Sequence, residues 1–189
     1  MPNVIIIHGS YGHPEENWFP WLKSELERLG CNVFIPRFPT PDGQTLENWI
    51  KTFKGYEKYL DKNSIAVGHS LGPAFLLSVI EKLGGPIKAA FFVAGFIGKF
   101  EDAWANPEFD RINRTFAEKQ FNWKKIRQNC GKFYVIYSND DPYVPPEKSE
   151  ELGKLLDVKP VLIKNAGHFN EKAGYVKFES LLGMLRKEI

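Results

Sequence analysis

Six short, largely apolar runs divide the chain, and their spacing restricts what it can fold into. They are VIII at 4–7, NVFIP at 32–36, SIAVG at 64–68, KAAFFVAG at 88–95, KFYVIYS at 132–138 and PVLIKNA at 160–166. Continuous runs, rather than alternating ones, suit strands buried on both faces of a parallel sheet. Helical patterns lie between them. Leu46, Trp49, Ile50 and Phe53 fall at i, i+3, i+4 and i+7, one apolar stripe. A helix over 71–83 ends at the Gly84-Gly85 pair, a glycine stop. PPEKSEELGKLL and YVKFESLLGMLRKE supply two more, the first opened by Pro145 and Pro146 in the first-turn position that proline favours. This alternation predicts a doubly wound α/β fold, with about six parallel strands flanked by helices. No repeat, low-complexity tract or linker breaks the pattern, so 1–189 reads as a single domain. The longest interruption, 96–131, is rich in aromatic and charged residues. Two short helices are expected there, folded over one end of the sheet or forming an elaborated crossover.

Composition removes several classes of function. A chain of 189 residues can bury about 70% of its unfolded surface, and 43% hydrophobic residues supply the core. Its 25 basic and 23 acidic residues are scattered without a basic stripe, so nucleic acid is not an expected partner. The N-terminus, MPNVIIIHGS, has no basic leader, and its apolar run is too short for a secretory or membrane segment. Two cysteines, Cys31 and Cys130, read as buried free thiols in a reducing cytoplasm rather than a disulfide framework.

Within this frame the stretch IAVGHSLGPAF, 65–75, has a chemical reading. Ser70 stands between Gly68 and Gly72, where a buried strand gives way to a helix. Glycines relieve crowding around such a sharp turn, and the serine hydroxyl projects from it. Pro73 is tolerated because first-turn amides have no intrahelical partner to lose. The amide of Leu71 points from the helix start toward developing negative charge. A serine is a weak nucleophile and needs a base held by a third group. Of the four histidines, His8, His13, His69 and His168, only His168 lies downstream of Ser70, in the small-residue loop NAGHFN after the last expected strand. The acid is expected after KFYVIYS, where the loop offers Asp140 and Asp141. Asp141 precedes PYVP and is preferred, with Asp140 bracing the turn.

The first strand ends in His8-Gly9, and the backbone amide of Ser10 is the expected second oxyanion donor. Glycines at 9 and 12 allow close backbone approach. A phosphate or dinucleotide loop is excluded because neither a complete G-x-G-x-x-G nor a Walker lysine is present. His8 braces the loop. His8 and His13 find no third ligand of suitable spacing, so no metal is expected. Trp18, Phe96, Phe100 and Trp104 are candidates for an acyl pocket, with core packing the stronger expectation for any single one of them, and the site is expected to be shallow because the insertion is short.

Together, IIIHGSYGHPEENWFPWLKSEL, VGHSLG, SNDDPYVP and NAGHF make the chain resemble the small YdeN-type serine hydrolases, kin to the retinoblastoma-binding-protein-nine group. The similarity spans nearly the whole chain, and NWFPWLK makes it more specific than the triad motifs. The resemblance implies a compact α/β-hydrolase fold without a large cap domain, with Ser70, Asp141 and His168 as catalytic triad. The expected activity is hydrolysis of small carboxylic esters through an acyl-enzyme on Ser70, without metal or organic cofactor. Two alternatives stand beside it: an amidase or peptidase with the same triad, and a catalytically weak hydrolase-fold module that binds a protein partner.

Overall fold

The structure, a computed structural model, describes residues 1–99 and 107–189. Its six strands are β1 (Asn3–Ile7), β2 (Asn32–Phe34), β3 (Ile65–His69), β4 (Ile87–Val93), β5 (Cys130–Tyr137) and β6 (Val161–Leu162). All pair in parallel, in the order β2-β1-β3-β4-β5-β6. The four inner strands carry the continuous apolar runs, as two-sided burial requires. The outer two are short. β2 stops before Pro36, and β6 is only two residues long, with Val161 and Leu162 exposed. A proline carries no ladder donor, which limits both margins.

Helices cover both faces. On one lie α1 (Phe19–Arg28) and α7 (Glu179–Leu185), whose Phe19, Leu22, Leu26 and Leu181 pack with Ile6, Val67 and Phe91. On the other lie α2 (Leu46–Phe53), α3 (Gly72–Ile80), α4 (Pro107–Ala117), α5 (Trp123–Gln128) and α6 (Pro146–Leu156). They pack Trp49, Phe75, Phe116, Ile126 and Leu152 against Ile5, Phe92 and Val135. Successive residues of β4 therefore feed opposite cores, the period of two inherent in a strand. Helix α3 is buried at every position, hydrophobic all round as a central helix must be.

Three boundaries differ from the sequence expectations. Helix α3 ends at Ile80, and tighter turns from Val79 and Ile80 carry the chain to Leu83. Helix α7 begins only at Glu179, because Tyr175 and Phe178 turn inward onto Phe169. The last strand shrinks from 160–166 to 161–162, since the following residues form the loop that carries His168. The interruption at 96–131 holds α4 and α5, the first packed on α3 and the second on β5 and α6.

From β1 the chain steps outward to β2, and from β3 it steps the other way through β4. The divergence leaves a crevice at the carboxyl ends of β1 and β3, where sites form in open α/β sheets.

Candidate active site

Strand β3 ends at His69 and α3 starts at Gly72, so Ser70 and Leu71 make the turn. Ser70 has φ +58°, a left-handed conformation that costs a residue with a Cβ of order 1–3 kcal/mol. Its surroundings hold it there: its amide donates to the Val93 carbonyl at 2.9 Å. A Cβ on Gly68 would meet the backbone nitrogen of Pro73 at 2.7 Å, and one on Gly72 would meet the Ile7 carbonyl oxygen at 2.6 Å. Both glycines of the motif are thus dictated by backbone passing against backbone. Gly9 lies against the serine itself, since a Cβ there would sit 2.8 Å from Ser70 Cβ and 3.2 Å from its Oγ.

Two loops bring the acid and base. His168 Nδ1 hydrogen-bonds Asp141 Oδ2 at 2.8 Å, and both side chains are almost wholly buried. Asp141 Oδ1 accepts the amides of Tyr143 at 2.8 Å and Val144 at 3.0 Å. An ionised carboxylate only accepts, so Nδ1 donates in this bond, and in a neutral imidazole that leaves Nε2 as the acceptor. Asp140 takes a separate part. Its Oδ1 accepts from Ser138 Oγ at 2.5 Å and from the Gly167 amide at 2.9 Å, and these bonds hold its carboxyl below the usual range. It braces the histidine loop and leaves His168 to its neighbour.

Further fasteners appear that the sequence motifs did not reveal. Burial pushes the His69 imidazole down to about 3, so the ring is neutral, and its Nε2 hydrogen-bonds the His168 carbonyl at 2.8 Å. Trp18 Nε1 donates to the Phe169 carbonyl at 2.9 Å. Asn17 and Glu171 exchange bonds, each backbone amide donating to the other's side-chain oxygen, at 3.0 and 2.9 Å. On the far side of the serine, burial lowers His8 to about 4. Its Nδ1 donates to the Gly9 carbonyl at 2.8 Å and its Nε2 accepts the Phe38 amide at 3.2 Å, which braces the loop after β1.

Ser70 and His168 line one cleft of about 950 Å³, together with Gly9, Ser10, Phe96, Phe109 and Tyr143. Loops after β1, β5 and β6 build its walls together with α4. The aromatic candidates divide. Phe96 lines the cleft. Trp18 does not: it is fully buried between Phe19, His69 and Phe178, with its indole N–H used by Phe169, so it is a core residue. Phe100 and Trp104 lie outside the described residues. Ser10 lines the cleft and Leu71 follows the serine, and no hydrogen bond among the described residues uses the amide proton of either.

A parallel sheet whose switch point carries a serine on a strained turn, lining one cleft with a histidine held by an aspartate, has the architecture of the α/β-hydrolase class. Residues 4–187 match the family described as serine hydrolase, and the chain belongs to that family. It is of the YdeN type. Identity to the YdeN protein of Bacillus subtilis (strain 168) is 32% over 188 residues, covering 96% of this chain and 93% of that one. Identity to the serine hydrolase RBBP9 of Rattus norvegicus is 26% over 169 residues, covering 88% of this chain and 86% of the relative. The crystal structure of the ydeN gene product from B. subtilis superposes with a TM-score of 0.90 at 29% identity, covering 100% of this chain and 98% of that one.

Proposed function

We propose that the chain is a single-domain, cytoplasmic serine hydrolase that cleaves small carboxylic esters through an acyl-enzyme on Ser70. The observation that carries this reading is the 2.8 Å Asp141–His168 bond opening into the cleft that Ser70 lines. His168 Nε2 takes the proton of Ser70 Oγ as that oxygen attacks the ester carbonyl. The amides of Ser10 and Leu71 receive the negative charge that forms on the carbonyl oxygen. Asp141 keeps the proton on Nδ1 and stabilises the imidazolium. Collapse expels the alcohol, which takes the proton from His168, and water repeats the sequence to release the acid and free Ser70. Phe96, Phe109 and Tyr143 give the cleft an apolar side suited to an acyl group. The cytoplasmic placement is supported by Cys31 and Cys130, both free and buried.

The test is covalent. A fluorophosphonate probe should add one adduct to the wild type by intact mass and none to Ser70→Ala. An unlabelled, folded wild type would favour a module that only binds a partner. Matched ester and amide substrates then rank the two hydrolytic readings: turnover of the amide at the ester's rate would displace the esterase reading.

A further inference from the structure

The oxyanion role needs only the backbone N–H of residue 10, which any residue but proline supplies. The hydroxyl of Ser10 is surplus to it, yet that hydroxyl is tied into a buried polar ring. Ser10 Oγ donates to Asn113 Oδ1 on α4 and accepts from Gln44 Nε2 at 3.2 Å. Gln44 Nε2 also donates to Asn113 Oδ1 at 2.9 Å and to the Ile112 carbonyl at 3.3 Å. Gln44 Oε1 accepts from Thr40 Oγ1, which in turn accepts the amide of Tyr11 at 2.8 Å. Asn113 is oriented by donating its Nδ2 to the Phe109 carbonyl at 2.9 Å.

Asn113 is fully buried and Gln44 is 3% exposed. Buried amides are costly unless they are hydrogen-bonded, and a hydrogen-bonded network rigidifies what it touches. What this one touches is the lip of the cleft, at two consecutive residues. Ser10 is held by its side chain and Tyr11 by its amide, the latter in a left-handed conformation with φ +59°. Gly9, one residue before, already presses on Ser70.

We propose that Gln44 and Asn113 are positioning residues for catalysis. Their ring with Thr40 and the Ser10 hydroxyl fixes the amide of residue 10 relative to Ser70, so the inserted helix α4 sets the geometry of the oxyanion site. The same helix lends Phe109 to the cleft, so one element both contacts substrate and orients the charge-stabilising amide. The inference rests on the reading of Ser10 as an oxyanion donor.

Steady-state kinetics on Ser10→Ala, Gln44→Ala and Asn113→Ala test it, with folding checked by circular dichroism. Each variant is expected to lose about 10- to 100-fold in kcat with little change in KM, the signature of a misplaced transition-state contact. Ser10→Ala combined with Asn113→Ala should be no worse than Asn113→Ala alone, because Asn113 Oδ1 is the acceptor that the Ser10 hydroxyl uses. A trifluoromethyl ketone, which forms an oxyanion on the serine, should lose affinity in step with kcat/KM. Unchanged kcat in folded Ser10→Ala, or a rise in KM alone, overturns the proposal, and the small Ser10→Ala change keeps this arm open should Asn113→Ala not fold. A wild type that takes no fluorophosphonate removes the reading of the site and this inference with it. A labelled wild type leaves the variants to judge the ring alone.

Discussion

Ser70 owes its position to what its neighbours lack. Backbone of α3 passes so near β1 and β3 that Gly68 and Gly72 have no room for a methyl group. Gly68→Ala must push the Pro73 backbone away, and overpacking of this kind typically costs about 1–3 kcal/mol. Its denaturant midpoint should fall accordingly, and its labelling by fluorophosphonate should slow as the serine shifts. A variant as stable and as reactive as the wild type would contradict the steric account. This part of the site was legible in the sequence, because glycine spacing at a strand-to-helix junction reports local geometry. Trp18 was not. Nothing in an indole's chemistry tells a pocket wall from a core residue, and what decides is a carbonyl at Phe169, far away along the chain. The ring of Thr40, Gln44 and Asn113 escaped for the same reason, since polar residues in a loop and on a helix read as surface until their partners are known.

The elements were readable wherever burial was two-sided. Strands β1, β3, β4 and β5 announce themselves as continuous apolar runs, and α2 as an apolar stripe. The margins were harder: β6 and the start of α7 are set by the loop between them, which folds to present His168 rather than to extend either element. That loop is clasped by the segment joining β1 to α1, through Trp18 and Asn17. Trp18→Phe keeps an aromatic side chain but replaces the indole with a smaller ring that has no N–H, leaving the buried Phe169 carbonyl without its donor. The loss should be about 1–3 kcal/mol of stability. It should also lower kcat more than it raises KM, since the next residue back is His168, the base of the proposed mechanism. Thermal unfolding and ester turnover measured together check this, and an unchanged kcat would show that the clasp serves stability alone.

Across the whole molecule, two neutral imidazoles buried near the serine couple stability to acidity. Burial lowers His8 to about 4 and His69 to about 3, from an ordinary value of 6.5. The unfolded chain therefore binds more protons than the folded one once pH drops below about 6.5. Stability holds above that pH and declines as it falls toward the two folded-state values. Most carboxylates titrate below about 5, so the interval between about 6.5 and 5 isolates the histidines. The Tm should drop across this interval, and His8→Gln should flatten the drop. A profile of equal slope in wild type and variant would refute the assignment.

The two outermost strands are also the shortest, three residues in β2 and two in β6. Proline closes both, Pro36 just beyond β2 and Pro160 just before β6, and the exposed Lys159 and Lys164 flank the apolar pair Val161-Leu162. A foreign backbone seeking to extend the ladder would find few free amides at either margin and positive charge beside one of them. The same truncation that frees the histidine loop thus leaves little edge on which a further strand could pair.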